Sequence, residues 1–75
     1  MKIVDANGKL ILDLPNKPRN FDGWAHGKAY GLVINDERIK VGTAADLEQG
    51  AYRLTQLRRA YLDGADTFTV TEATK

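Results

Sequence analysis

Residues 43–70, TAADLEQGAYRLTQLRRAYLDGADTFTV, decide the fold class. They read as a capped helix, a glycine stop and a strand. Thr43 is a good N-cap, because its hydroxyl can accept from an orphan amide of the first turn. Asp46 follows three residues later, where a carboxylate can bond back and meet the positive end of the helix dipole. Gly64 after Asp63 supplies a left-handed residue to stop the helix.

A rotation of about 100° per residue sorts the side chains between these signals. Leu47, Ala51, Leu54, Leu57 and Tyr61 share one arc, with Gly50 and Leu62 at its edges. That is a core-facing stripe. Glu48, Gln49, Tyr52, Arg53, Gln56, Arg59 and Asp63 face water. Arg58 breaks the pattern by pointing almost the same way as Leu47. Two readings are open. In the preferred one its stem covers the core edge and its head snorkels out near the helix end. In the other it is held inward for a carboxylate, with Asp66 as the mate within the chain, or for an acidic partner group.

Outward from the helix, Asp66–Thr71 alternates as a half-buried strand. Phe68 and Val70 point one way, and Thr67, Thr69 and Thr71 line a wet face. Residues 72–75 are expected to fray. Upstream, Ala29–Ile34 and Arg38–Gly42 form a hairpin around the polar turn residues 35–38. Pairing Ile34 with Ile39 and Leu32 with Val41 puts all four on one face, with Val33 and Lys40 on the other.

The first fourteen residues form another hairpin, since Asn7-Gly8 favours a two-residue turn. Ile3 then faces Leu12, Met1 faces Leu14 and Asp5 faces Leu10 on the core side. Val4 faces Ile11 and Lys2 faces Asp13 on the other. Pro15 and Pro18 make residues 15–20 a connection that crosses the sheet or leads to its other edge. The expectation is a single α+β domain over residues 1–75. It has about five mostly antiparallel strands in the order β-β-β-β-α-β, with one helix packed on one sheet face. The uncovered face would carry Val4, Ile11, Val33 and the threonines.

Composition excludes much chemistry. The 75 residues carry a net charge of +1, so whole-molecule electrostatics steer neither nucleic acid nor cations strongly. There is no cysteine and no serine, so the two commonest nucleophiles are missing. One histidine, His26, cannot build a multi-histidine metal site. The carboxylates are scattered, and His26 has no evident nucleophile or orienting partner. The expectation is a non-enzyme with no cofactor and no metal. No apolar run approaches a membrane span and no signal-peptide pattern opens the chain, so a cytoplasmic location without membrane association is expected.

Two surfaces remain as candidates for function. Tyr52, Gln56 and Arg59 form an exposed helix stripe at i, i+4, i+7, of residue types that anchor protein interfaces. With Arg58 and the sheet-face Val33 they make a candidate contact for a protein partner or a homodimer. The alternative is a single-stranded nucleic-acid contact. If 24–30 is one extended run, Trp24, His26, Lys28 and Tyr30 share a face, with Lys17 and Arg19 near the backbone. Against this, Trp24 and Tyr30 also read as extensions of the core face, with Gly27 at a bulge.

The opening residues 1–8, MKIVDANG, and the run 57–64, LRRAYLDG, followed by Phe68, carry a resemblance. The chain resembles small uncharacterised proteins of Gram-positive prophages and mobile elements, over under half its length. In those proteins a similar helix end leads into a final aromatic strand. The resemblance implies a small single-domain fold that modulates a host or phage protein, and it brings no catalytic residues.

Overall fold

A computed structural model describes residues 1–14 and 20–71. The fold is α+β, with six strands and one helix among these residues: β1 (Lys2–Val4), β2 (Leu10–Asp13), β3 (Phe21–His26), β4 (Ala29–Ile34), β5 (Glu37–Thr43), α1 (Leu47–Leu62) and β6 (Thr67–Thr69). They make two three-stranded sheets rather than one, in the orders β2-β1-β6 and β3-β4-β5. All strand pairs are antiparallel except β1 with β6. The proline connection, Lys17, Arg19 and the C-terminal residues 72–75 lie outside the described residues.

β3 is the strand that the sequence reading lacked. Gly27, at φ +60°, and Lys28 form a two-residue turn between His26 and Ala29, which pair directly. A glycine with positive φ at the first central position suits a hairpin turn of type II′. Residues 24–30 are therefore not one extended run. They fold back on themselves.

The first hairpin keeps its expected register where the core needs it. Ile3 opposes Leu12 and Lys2 opposes Asp13. Its turn differs. Gly8 N–H donates to the Asp5 carbonyl at 3.0 Å and Asp5 N–H to Lys9 at 2.9 Å. The loop is thus three residues long, with Gly8 left-handed at φ +84°. Asp5 Oδ1 fastens it by accepting from the amides of Asn7 and Lys9, each at 2.9 Å. The extra loop residue shifts the ladder so that Val4 opposes Leu10, and a bulge between Ile3 and Val4 undoes the shift. In consequence Leu10, expected in the core, is 52% exposed.

β4 and β5 are joined by Asn35 and Asp36, both at positive φ (52° and 66°). This is the twisted two-residue turn that suits a hairpin. Ile34 opposes Glu37 and Leu32 opposes Ile39, two residues away from the expected pairing. A two-residue slip preserves the faces. Leu32, Ile34 and Val41 are accordingly buried together, as read. The Asn20 side chain clamps the turn: its amide donates to Asp36 Oδ1 at 2.7 Å and its carbonyl accepts from Asp36 N–H at 3.1 Å.

The helix begins later than expected. Thr43 is still paired with Ala29 in the ladder, and Ala44 N–H donates to the Lys28 carbonyl at 2.8 Å. The chain is free to turn only after that. Asp46 is the N-cap, its carboxylate accepting from Gln49 N–H at 2.8 Å. The stop is as read: Gly64, at φ +80°, donates to the Tyr61 carbonyl, and Ala65 to that of Ala60. That paired closure is the Schellman motif.

One core unites the layers. Ile3 and Leu14 from the first hairpin meet Tyr30, Leu32, Ile34 and Val41 from the second sheet, with Leu57 from α1 and Val70. Phe21 and Tyr61 close it with a stack at 4.4 Å between centroids.

Asp46→Ala is expected to lower unfolding free energy by about 1 kcal/mol, read from urea denaturation with helix content as the probe. Gly31→Ala should be far worse. A Cβ there would fall 2.7 Å from the Trp24 ring while also meeting the Ile39 carbonyl oxygen. A cost of about 3 kcal/mol or more is expected, most of the stability of so small a domain.

Candidate interaction surfaces

The seat of α1 decides what it exposes. The helix packs on β3 and β4. Gly50 and Leu57 are its buried residues. At Gly50 the backbone faces Ala25 and Tyr30, and a Cβ there would meet their Cβ atoms at an ordinary van der Waals distance of 3.5 Å. The contact line thus runs through Gly50 and Leu57, a rotation of roughly 60° from the centre of the expected stripe. Arg53 and Gln49, expected in water, become half-buried. Leu47, Ala51 and Leu62, expected at the core, become exposed, with Leu47 at 52% and Leu62 at 72%.

This rotation resolves Arg58. Its side chain is 56% exposed, with Nη1 3.8 Å from Asp22 Oδ1 on β3. Asp22, not Asp66, is the carboxylate beside it. An exposed pair at this distance contributes about 0–1 kcal/mol. Arg58 therefore stands in an outward stripe with Leu47, Ala51 and Leu62, while the half-buried Leu54 packs toward Gly23 of β3, beside a groove of about 250 Å³ between α1 and β3.

Tyr52 and Gln56 are exposed on another side of α1. Gln56 Nε2 donates to the Tyr52 hydroxyl at 3.0 Å, which holds a ring that is 63% exposed. Both line a groove of about 340 Å³ between α1 and β6, with Phe68 and Thr69 opposite. Arg53 crosses it to the Thr71 carbonyl. Arg59 lines a second shallow groove with Tyr52 and Gln56, so the i, i+4, i+7 stripe is present as read.

The residues of the aromatic and basic run are divided. Tyr30 is fully buried on the core side, Lys28 sits in the turn, and Trp24 and His26 lie on the outer face of the second sheet. Cross-strand pairing brings Val33 and Arg38 to that face, as well as Lys40 opposite Gly31. Trp24 lies over Gly31, and the Arg38 guanidinium carbon is 4.1 Å from its ring centroid. Trp24 Nε1 is buried with no hydrogen-bond partner among the described residues. The sequence reading missed Arg38, and it placed Lys40 on the outer face with Val33 but without Trp24 beside it. The signal was the alternation on both sides of Gly27-Lys28, which makes β3 a strand and puts β5 two strands from Trp24.

The uncovered surface expected across one sheet is split. Val4 pairs with Leu10 on the first sheet, and Val33 stands on the outer face of the second. Ile11 lines a separate cleft with Asp5, Asn7 and Val41. Among the described residues no cluster of three or more His, Asp or Glu could hold a metal ion, and no helix is long and apolar enough to cross a membrane.

Removing the guanidinium in Arg38→Ala should uncover the Trp24 ring. A red shift of its fluorescence is expected, with a stability loss of about 0.5–1 kcal/mol. An unchanged spectrum would show that the two side chains do not stack in solution.

Comparison with protein-family models, curated proteins and solved structures finds no match to this chain.

Proposed function

We propose that this chain is a non-enzymatic protein-interaction module, working in the cytoplasm as an accessory protein of a phage or mobile element. The observation that carries the reading is the outward side of α1. Of the five large apolar side chains exposed among the described residues, Leu47 and Leu62 are on this side and Tyr52 is on another side of the same helix. Large apolar groups rimmed by polar ones mark protein contacts. Tyr52 is held by Gln56, so it presents area at a reduced entropic cost on binding. The prophage resemblance supports the setting, and the composition supports the absence of catalysis.

A second reading is supported by the Trp24, Arg38 and Lys40 face. An aromatic ring beside two cations on an open sheet is the arrangement that single-stranded nucleic acid uses for stacking and phosphate contact. His26 lies on the same face, whereas Tyr30 is withdrawn into the core.

Site-specific photocross-linking in living cells tests both. A benzophenone side chain at position 62 should yield protein adducts, with a different protein or with a second copy. The same group at position 40 should yield none. Adducts from position 40 alone, or from neither, would reject the helix surface. For the second reading, a thymine oligonucleotide added at low salt should quench Trp24, and added salt should reverse it. An unresponsive Trp24 disposes of that reading.

A further inference from the structure

We infer that the exposed α1 stripe is a two-fold interface that takes a second copy of this chain, helix against helix and antiparallel. The inference rests on the reading of the chain as an interaction module and names its partner. The exposed residues of the stripe are Leu47, Ala51, Thr55, Arg58 and Leu62, on two neighbouring i±4 ridges whose remaining member, Leu54, is half-buried against Gly23 of β3. These ridges are related by a reversal of the helix. Turned end for end about a point between Leu54 and Thr55, Leu47 meets Leu62 of the copy and Ala51 meets Arg58. An isologous contact requires this self-complementarity, because each residue pair occurs twice.

The chemistry of each layer fits. Leu47 and Leu62, 52% and 72% exposed, cover one another. Ala51 is small enough to let the long Arg58 side chain of the copy pass over it. That guanidinium arrives one turn from the carboxylate of Glu48, an exposed residue with no basic neighbour at i+4 on its own helix. The charges are complementary across the contact and occur twice. The Thr55 hydroxyl already donates to the Ala51 carbonyl at 3.0 Å, so covering it leaves no unsatisfied donor. The apolar groove between α1 and β3 adjoins the stripe and extends the contact beyond the helix itself. A stable interface buries about 800 Å² on each partner, more than one short helix supplies alone.

Arg58 acquires a role in this arrangement. A single charged residue in an apolar seam favours one register and orientation, here the one that brings Arg58 toward Glu48 of the copy while Asp22 of its own chain stays beside it.

Sedimentation equilibrium of the full chain over a range of concentrations tests the inference, with circular dichroism to confirm that each variant is folded. A reversible dimer is expected for the unaltered chain. Leu62→Asp and Leu47→Asp should each raise the dissociation constant by about tenfold or more. Arg58→Glu should weaken the dimer, and Arg58→Glu combined with Glu48→Arg should recover it. Tyr52→Asp, on another side of the helix, should leave it unchanged. A monomer up to about 1 mM overturns the inference. So does a dimer that ignores Leu47→Asp and Leu62→Asp, or one that is lost with Tyr52→Asp. The broader reading fails separately. Photoadducts to a different protein from position 62, with a monomeric chain, reject the second copy and keep the interaction module. A monomer without adducts rejects both.

Discussion

The approach of Gly50 to Ala25 and Tyr30 is the contact on which the surface of this protein depends. The one glycine inside α1 lies on this contact line, opposite the small Ala25 of β3, where a Cβ would still find ordinary van der Waals room. Leu57, two turns along on the same side, then fills the core and is fully buried. With these two points set, the rotation of the helix is fixed. Arg53 is drawn toward β6 and bonds the Thr71 carbonyl. Tyr61 reaches Phe21. Leu47 and Leu62 are left in water.

What could be read from the sequence was the parity of each strand. A side chain's face depends on odd or even position, so it survives any slip of two residues. The β4–β5 hairpin shows this. Its turn is two residues instead of four, yet Leu32, Ile34 and Val41 are buried as read. The β1–β2 hairpin shows a second route to the same result. A longer loop displaces the ladder by one, which would have turned every side chain over, and the bulge beside Ile3 restores it. Only Leu10, between the two irregularities, changes sides. The glycine stop at Gly64 was legible because its chemistry is local. The helix start was not, because β5 continues to Thr43 by pairing with a strand far from it in sequence.

The errors in reading the surface have one source. Which side of a helix is buried is decided by its partner, and the partner strand β3 was hidden in a segment rich in glycine and aromatic residues. Phe21, Gly23 and Ala25 face α1, while Asp22, Trp24 and His26 face outward. Without that strand, Trp24 and Tyr30 looked like neighbours on one face. They are on opposite faces, with Tyr30 in the core and Trp24 beneath Arg38. The pairing that brings Arg38 to Trp24 spans β3, β4 and β5, so no spacing within a single segment could reveal it. Tyr52, Gln56 and Arg59 were legible because they lie on the side of α1 farthest from the rotation's effect.

A helix with four leucines could have been seated so as to bury more of them, and Arg58 shows why it was not. A turn of roughly 60° would bring Leu47 and Ala51 to the sheet, where Leu54 already lies half-buried against Gly23. Burial of Leu47 would contribute about 1.5–3 kcal/mol. The same turn carries Arg58 inward, where taking a guanidinium out of water costs several kcal/mol before any partner is found. The observed seat therefore wins by keeping Arg58 hydrated, with Gly50 and Leu57 against the sheet. The exposed leucines are the consequence of that balance, and they give the outward side of α1 an apolar stripe with a charge at its middle.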